Sequence, residues 1–261
     1  MEIGSCADCV VGADLEAKMI ALQSIGFDFI EPAWTEAEVP RLGESLGAEL
    51  RELGERTGCP VRSAILGTFP NIGERLRAKD SRAQELDVLA RAGQTLAVAG
   101  GDVLLLPNYA AQQAPDDDAL YMAFLEEAGA SAATVGVKLG IEHIPASKYR
   151  NSALQVFELV EKLNHESVGV YFDIANGLYI GEDSVEAARQ VASRVVQYHV
   201  KDYSKGGRSF ESMPLREIKA IFMAAGYKGR VATEIDPAEE PGQKTNDHLI
   251  AALATLRQNG F

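Results

Sequence analysis

The chain has 261 residues, 46% of them hydrophobic and 24% charged, which is enough for one sizeable core and leaves little room for a disordered arm. Its formal net charge of -13 opposes polyphosphate and anionic lipid, so neither nucleic acid nor a membrane surface is expected as a partner. No apolar run approaches the roughly 20 residues that cross a bilayer, and the opening Met1-Glu2-Ile3-Gly4 has no basic flank or signal-like stretch, so a cytoplasmic location is expected.

The first predicted strand is Glu2–Cys6. The spacing of Cys6 and Cys9 invites a zinc or redox reading, but no second ligand pair of that kind follows. With Cys59 there are three cysteines, which cannot all pair, so the two are read as small thiols at a strand end. A helix over Leu15–Ile25 leads to a strand at Phe27–Glu31, a helix over Glu36–Thr57 to Val61–Ile65, and a helix over Ser81–Ala99 to Val103–Leu106. The acidic run Asp116-Asp117-Asp118 opens a helix reaching Val137; it reads as capping, because negative charge there meets the positive end of the helix dipole. The strand Lys138–Glu142, the helix Ser152–Leu163, the strand Gly169–Asp173, the helix Ser184–Ala192 and the strands Val195–His199 and Val231–Glu234 follow. Gly26, Gly58, Gly100, Gly136 and Gly226 stand where helices should stop, as a left-handed terminating residue requires.

This alternation predicts parallel strands joined by crossover helices. Taken alone it leaves a closed barrel and an open doubly wound sheet close to even. No Gly-x-Gly-x-x-Gly follows the first strand and no Gly-x-x-x-x-Gly-Lys-Ser/Thr occurs, so the usual backbone cradle for phosphates is missing. The expectation is an α/β fold, a single-domain (β/α)8 TIM barrel over residues 1–261.

Four successive predicted strands end in potential metal ligands: Glu142, Asp173, His199 and Glu234. A barrel of this kind keeps its chemistry at the strand ends, so the four side chains can converge. Three carboxylates and one imidazole form an oxygen-rich set that suits one divalent ion, Mn²⁺ or Mg²⁺, and also accepts Co²⁺ or Zn²⁺. Singly, each carboxylate is more often a helix cap or an ion-pair partner; the case rests on their joint placement. Trp34, just beyond the second predicted strand, is expected to line the mouth as an apolar aromatic surface. His143, beside Glu142, reads equally as a substrate contact or as a support for the site, and His165 and His248 as surface residues. Lys201-Asp202 is a candidate for orienting His199 through a hydrogen bond.

The order and spacing of Gly26-Phe-Asp-Phe-Ile-Glu31, Gly140-Ile-Glu-His143, Val170-Tyr-Phe-Asp-Ile-Ala-Asn176, Tyr198-His-Val-Lys-Asp202, Gly226-Tyr-Lys-Gly229 and Thr233-Glu234 span nearly the whole chain. In these motifs it resembles the sugar isomerase/epimerase superfamily, which includes xylose isomerase-like proteins, tagatose and psicose 3-epimerases, hydroxypyruvate isomerase and inosose dehydratase. The resemblance implies that Glu142, Asp173, His199 and Glu234 hold the metal and that Glu142 and Glu234 also serve as the acid/base pair. Two departures bear on the substrate. Asn176 stands where many members carry histidine, and Lys148 stands where ketose 3-epimerases carry a second glutamate. Lys148, Arg150, Lys201, Lys205 and Arg208 all follow the fifth and seventh predicted strands, which admits a phosphorylated or acidic sugar.

The expected function is therefore a metal-dependent isomerase or epimerase acting on a small carbohydrate through an enediolate, with a lyase or dehydratase on the same residues as the alternative. A DNA-repair endonuclease would need a histidine-rich zinc cluster and a basic surface, against four histidines and a net charge of -13. A non-catalytic sugar-binding barrel is disfavoured by the intact Glu142 and Glu234. Barrels of this type often assemble through their helices, which admits a homo-oligomer of undefined size.

Overall fold

The computed structural model describes residues 1–68, 72–78, 81–108, 118–147, 150–202, 210–235 and 246–261. Nine parallel strands form one sheet: β1 Ile3–Cys6, β2 Phe29–Glu31, β3 Ala33–Trp34, β4 Ser63–Leu66, β5 Val103–Pro107, β6 Lys138–Glu142, β7 Val168–Asp173, β8 Val195–Asp202 and β9 Val231–Ile235. Their order is β2-β1-β9-β8-β7-β6-β5-β4-β3, and a bridge between Ile30 and Val61 brings the two ends together as a nearly closed barrel. β2 and β3 are one line of chain interrupted at Pro32, whose missing N–H cannot join the ladder. The two-residue β3 is the strand absent from the sequence expectation.

The helices are α1 Leu15–Ile25, α2 Glu44–Thr57, α3 Ile72–Arg77, α4 Ser81–Ala99, α5 Asp118–Thr134, α6 Ala153–Leu163, α7 Ile174–Tyr179, α8 Ser184–Val191, α9 Leu215–Ala224 and α10 Asp247–Gln258. α1 is capped by the Asp14 side chain, which accepts from Ala17 N, and stops at Gly26 with φ of 105°. α6 opens on a capping box of Ser152 and Gln155. The helix expected from Glu36 starts only at Glu44, because Pro40 sits in a short 3-10 turn and Gly43 has φ of 144°. Of the acidic run, only Asp118 lies within the described residues. No helix among the described residues is long and apolar enough to cross a membrane.

Two apolar cores result. The larger lies between the strands and the helices, and holds Leu22, Leu96, Val156, Phe172 and Phe222. A smaller one, Val103, Leu105 and Tyr171 with Ile65 and Val196 against it, fills the barrel interior. Polar residues sit above that inner core, toward the C-terminal ends of the strands, where alternation of side chains turns every second residue of a strand inward. Glycine makes room where strands crowd. A β-carbon at Gly169 would lie 2.6 Å from the carbonyl oxygen of Arg194 and would also strike Val196. Gly169→Ala is expected to lower unfolding free energy by about 1–3 kcal/mol, read as a lower urea midpoint with an unchanged slope.

Candidate active site

β6, β7, β8 and β9 are consecutive neighbours in the sheet, and each delivers one of the four predicted ligands at or near its C-terminal end. Ligand atoms of Glu142, Asp173, His199 and Glu234 all lie within 4.8 Å of one another. The sequence expectation that these four converge is thus realised geometrically. Glu142, Asp173 and His199 are buried, and Glu234 is partly open to solvent.

His199 is the centre of the cluster. Its Nδ1 lies 3.2 Å from Glu234 Oε2 and 3.5 Å from Glu142 Oε1, without hydrogen-bond geometry to either. Its Nε2 lies 2.6 Å from Glu31 Oε2. Burial pushes this imidazole toward its neutral form, but the carboxylates around it, Glu31 foremost, raise its pKa well above the ordinary value. Asp173 divides its oxygens between two roles: Oδ1 accepts from Asn176 N at 2.9 Å and caps α7, whereas buried Oδ2 has no hydrogen-bond partner among the described residues. Burial, followed by the charge of Glu234, holds the Glu142 carboxyl up at about 7 despite the neighbouring His199. Burial would also raise Glu234, but His199 and then Lys201 overturn this and bring it to about 2.

Lys201 does not orient His199. Residues two apart on a strand share a face, so His199 and Lys201 point the same way, and Lys201 reaches instead to its cross-strand partner Glu234, Nζ to Oε1 at 2.8 Å. The residue that holds His199 is Glu31 at the end of β2, which the sequence reading had placed only within a motif. Its signal was there: Phe29-Ile-Glu31 ends a strand in a carboxylate, as three of the four ligand strands do.

Asn176 lies in the site, buried, with Nδ2 donating to His143 O at 3.0 Å and to Glu142 Oε1 at 3.4 Å. His143 is fully buried beside Phe172, ring centroids 5.8 Å apart, and burial depresses its pKa to about 4. Trp34, expected at the mouth, is packed into the outer core with 3% of its surface exposed. Arg150 stands over the Tyr121 ring at 6.0 Å. Lys148, Lys205 and Arg208 lie outside the described residues. Cys6, Cys9 and Cys59 are free and buried; Cys9 Sγ accepts from Ile235 N at 3.0 Å.

The donor set fits a divalent cation. Among the described residues, buried Asp173 Oδ2 and His199 Nδ1 lack a hydrogen-bond partner within a cluster that holds two further carboxylates, a combination that is costly unless a positive charge is shared among them. Cys6, Glu31 and His199 form a second group of potential ligands. There the oxygens of Glu31 are already taken by hydrogen-bond donors, which makes it a supporting network.

The fold and site define a parallel α/β barrel with an acidic, histidine-centred cluster at its C-terminal mouth. The profile of the xylose isomerase-like TIM barrel family matches residues 20–256, and the chain belongs to that family. Among solved structures it is similar to 3-keto-D-glucoside 4-epimerase from E. coli, with a TM-score of 0.80, 19% identity and 99% of each chain covered. It is similar too to D-psicose 3-epimerase from Clostridium cellulolyticum H10, with a TM-score of 0.78, 20% identity and 99% of each chain covered. At these identities the likeness establishes the fold. A curated relative, 3-dehydroshikimate dehydratase of Pseudomonas putida, is 24% identical over 170 residues, 60% of this chain and 27% of that protein. The chain thus spans about a quarter of that relative's length.

Two outcomes are expected of the metal-free protein. Mn²⁺ at 100 times its dissociation constant should raise unfolding free energy by about 2.7 kcal/mol, and Asp173→Asn should suppress that gain in paired urea titrations with chelator or Mn²⁺. The His143 pKa of about 4 lies below the ordinary 6.5, so the unfolded chain binds more protons between these values and stability falls as pH falls through that window. The advantage of wild type over His143→Asn should shrink by about 3 kcal/mol from pH 7 to pH 4, measured by urea unfolding in chelator.

Proposed function

We propose that this chain is a divalent-metal-dependent isomerase or epimerase acting on a small ketose, keto-sugar derivative or sugar phosphate by proton transfer through an enediolate. The observation that carries the reading is the pair of carboxylates, Glu142 and Glu234, which approach His199 Nδ1 from β6 and β9 to 3.5 and 3.2 Å. Asp173 Oδ2 completes the set. Mn²⁺ or Mg²⁺ is the favoured ion, with Co²⁺ or Zn²⁺ compatible. When bound by Glu142, Asp173, His199 and Glu234, the cation supplies the positive charge that lowers the barrier to forming an enediolate from a ketone and its neighbouring hydroxyl.

The chain's own residues do the rest. One of Glu142 and Glu234 takes the proton from the carbon beside the ketone at a carboxylate oxygen. The other returns a proton to the opposite face of the same carbon, giving epimerisation, or the proton goes to the adjacent carbon, giving aldose-ketose isomerisation. Lys201, fixed on Glu234 at 2.8 Å, keeps that carboxylate ionised and in place. Asn176 holds Glu142 and the His143 carbonyl together, which supports a substrate-contact role for Asn176 beside Glu142.

The dehydratase likeness favours one second reading: an enediolate formed beside a leaving group expels it instead of being reprotonated. The test is deuterium exchange from D2O into ketoses, keto-acids and their phosphates with Mn²⁺ present. Wild type should wash deuterium into at least one class, and Glu234→Gln should lose about 10²–10⁴-fold of that rate. Product mass then separates isomerase from dehydratase, and exchange that survives in the variant would remove Glu234 from proton transfer.

A further inference from the structure

Glu31 lies fully buried inside the barrel, where among the described residues its two oxygens meet four polar neighbours. Its Oε1 accepts from the Tyr171 hydroxyl at 2.8 Å and from Gln197 Nε2 at 3.1 Å. Its Oε2 accepts from the Cys6 thiol at 3.3 Å and lies 2.6 Å from His199 Nε2. An ionised carboxylate offers about four acceptor positions and no donor, and four neighbours occupy them here. A partner that can only accept obliges His199 Nε2 to carry its hydrogen. Nδ1 is left facing Glu142 and Glu234.

We infer that Glu31 is a positioning residue that fixes the His199 tautomer, and so selects Nδ1 as the nitrogen through which this ring binds a cation. The inference rests on the metal-dependent reading above. Glu31 touches neither the candidate cation position nor the mouth; it acts through His199.

Tyr171 and Gln197 make the inference directional. Both donate to the same oxygen, so an amide introduced at position 31 places its carbonyl oxygen there and turns its NH2 group toward His199 Nε2. Nε2 must then accept, and a neutral ring carries its hydrogen on Nδ1, where it blocks a cation. A carboxylate introduced at position 197 reverses this. It accepts from the new NH2 group, frees the amide carbonyl to face Nε2–H, and still receives the Ser63 and Tyr171 hydroxyls that contact Gln197 now.

The experiment compares the full-length wild type, Glu31→Gln and the double variant Glu31→Gln/Gln197→Glu. ¹⁵N-histidine spectra of the metal-free proteins, taken to alkaline pH until the ring is neutral, report which nitrogen of His199 keeps its hydrogen. Four histidines per chain make the assignment tractable with His199→Gln as reference. Mn²⁺ affinity is read separately by the electron paramagnetic resonance of free Mn²⁺. Expected are Nε2–H in wild type and the double variant but Nδ1–H in Glu31→Gln, with Mn²⁺ affinity about 10–100-fold weaker in the single variant and mostly regained in the double. A general loosening of the barrel would not be repaired by a second buried substitution. Nε2–H retained in Glu31→Gln, or a double variant that regains no affinity, overturns the inference. So does Nδ1–H in the wild type, which keeps the test decisive even if Glu31→Gln fails to fold. A wild type that binds no divalent ion would instead count against the metal-dependent reading, while the nitrogen spectra still decide the role of Glu31.

Discussion

Concentrating acidic side chains around one buried imidazole is the constraint on which the mouth of this barrel depends. Two like charges about 5 Å apart repel by about 3 kcal/mol at an effective dielectric of about 20, and Glu142, Asp173 and Glu234 form three such pairs. His199 sits among them, Lys201 covers Glu234 from the solvent side, and the N-terminus of α7 takes one oxygen of Asp173. The remaining demand for positive charge is what a cation would meet. The layers beneath follow from this. Gly140 lacks a side chain because a β-carbon there would press on Tyr171 at 2.9 Å, and Tyr171 needs that space for its hydroxyl to reach Glu31.

What could be read from the sequence follows the range of the interactions involved. Glu142, Asp173, His199 and Glu234 were visible because each closes a short apolar run, and strand ends are where a barrel gathers its polar groups. Helix limits were legible where the stop is local, as at Gly26 and at the Ser152 cap, and α1 and α4 have the predicted bounds. They failed where a turn of another kind intervened, at Pro40 and Gly43 before α2. The pairing of Glu31 with His199 joins residues 168 apart, and no local pattern announces it. Lys201 shows the opposite error: closeness in sequence suggested a bond to His199, whereas the two-residue period of a strand sends both side chains the same way and leaves Lys201 to pair across the ladder.

Membership of the xylose isomerase-like barrel family sets the frame within which the chemistry has to be chosen. Relatives with epimerase names and one with a dehydratase name share that frame at low identity. Both kinds of reaction would use the same base and the same stabilised enediolate, so the residues around His199 serve either equally well. The fate of the intermediate depends on whether the bound substrate carries a leaving group beside it, a matter of recognition at the rim.

The distribution of the site around the ring has a consequence for how such a protein changes over time. The candidate ligands come from β6 to β9, and the network that braces them joins Cys6 of β1 and Glu31 of β2 to Tyr171, Gln197 and, through Gln197, Ser63 of β4. Among the described residues, β3, β4 and β5 contribute no ligand to the cluster. The candidate ligands are thereby confined to one arc of the barrel. Under the proposed function, changes on the remaining arc leave the reacting groups where they are, so selection could explore new substrates without first having to reinvent the chemistry.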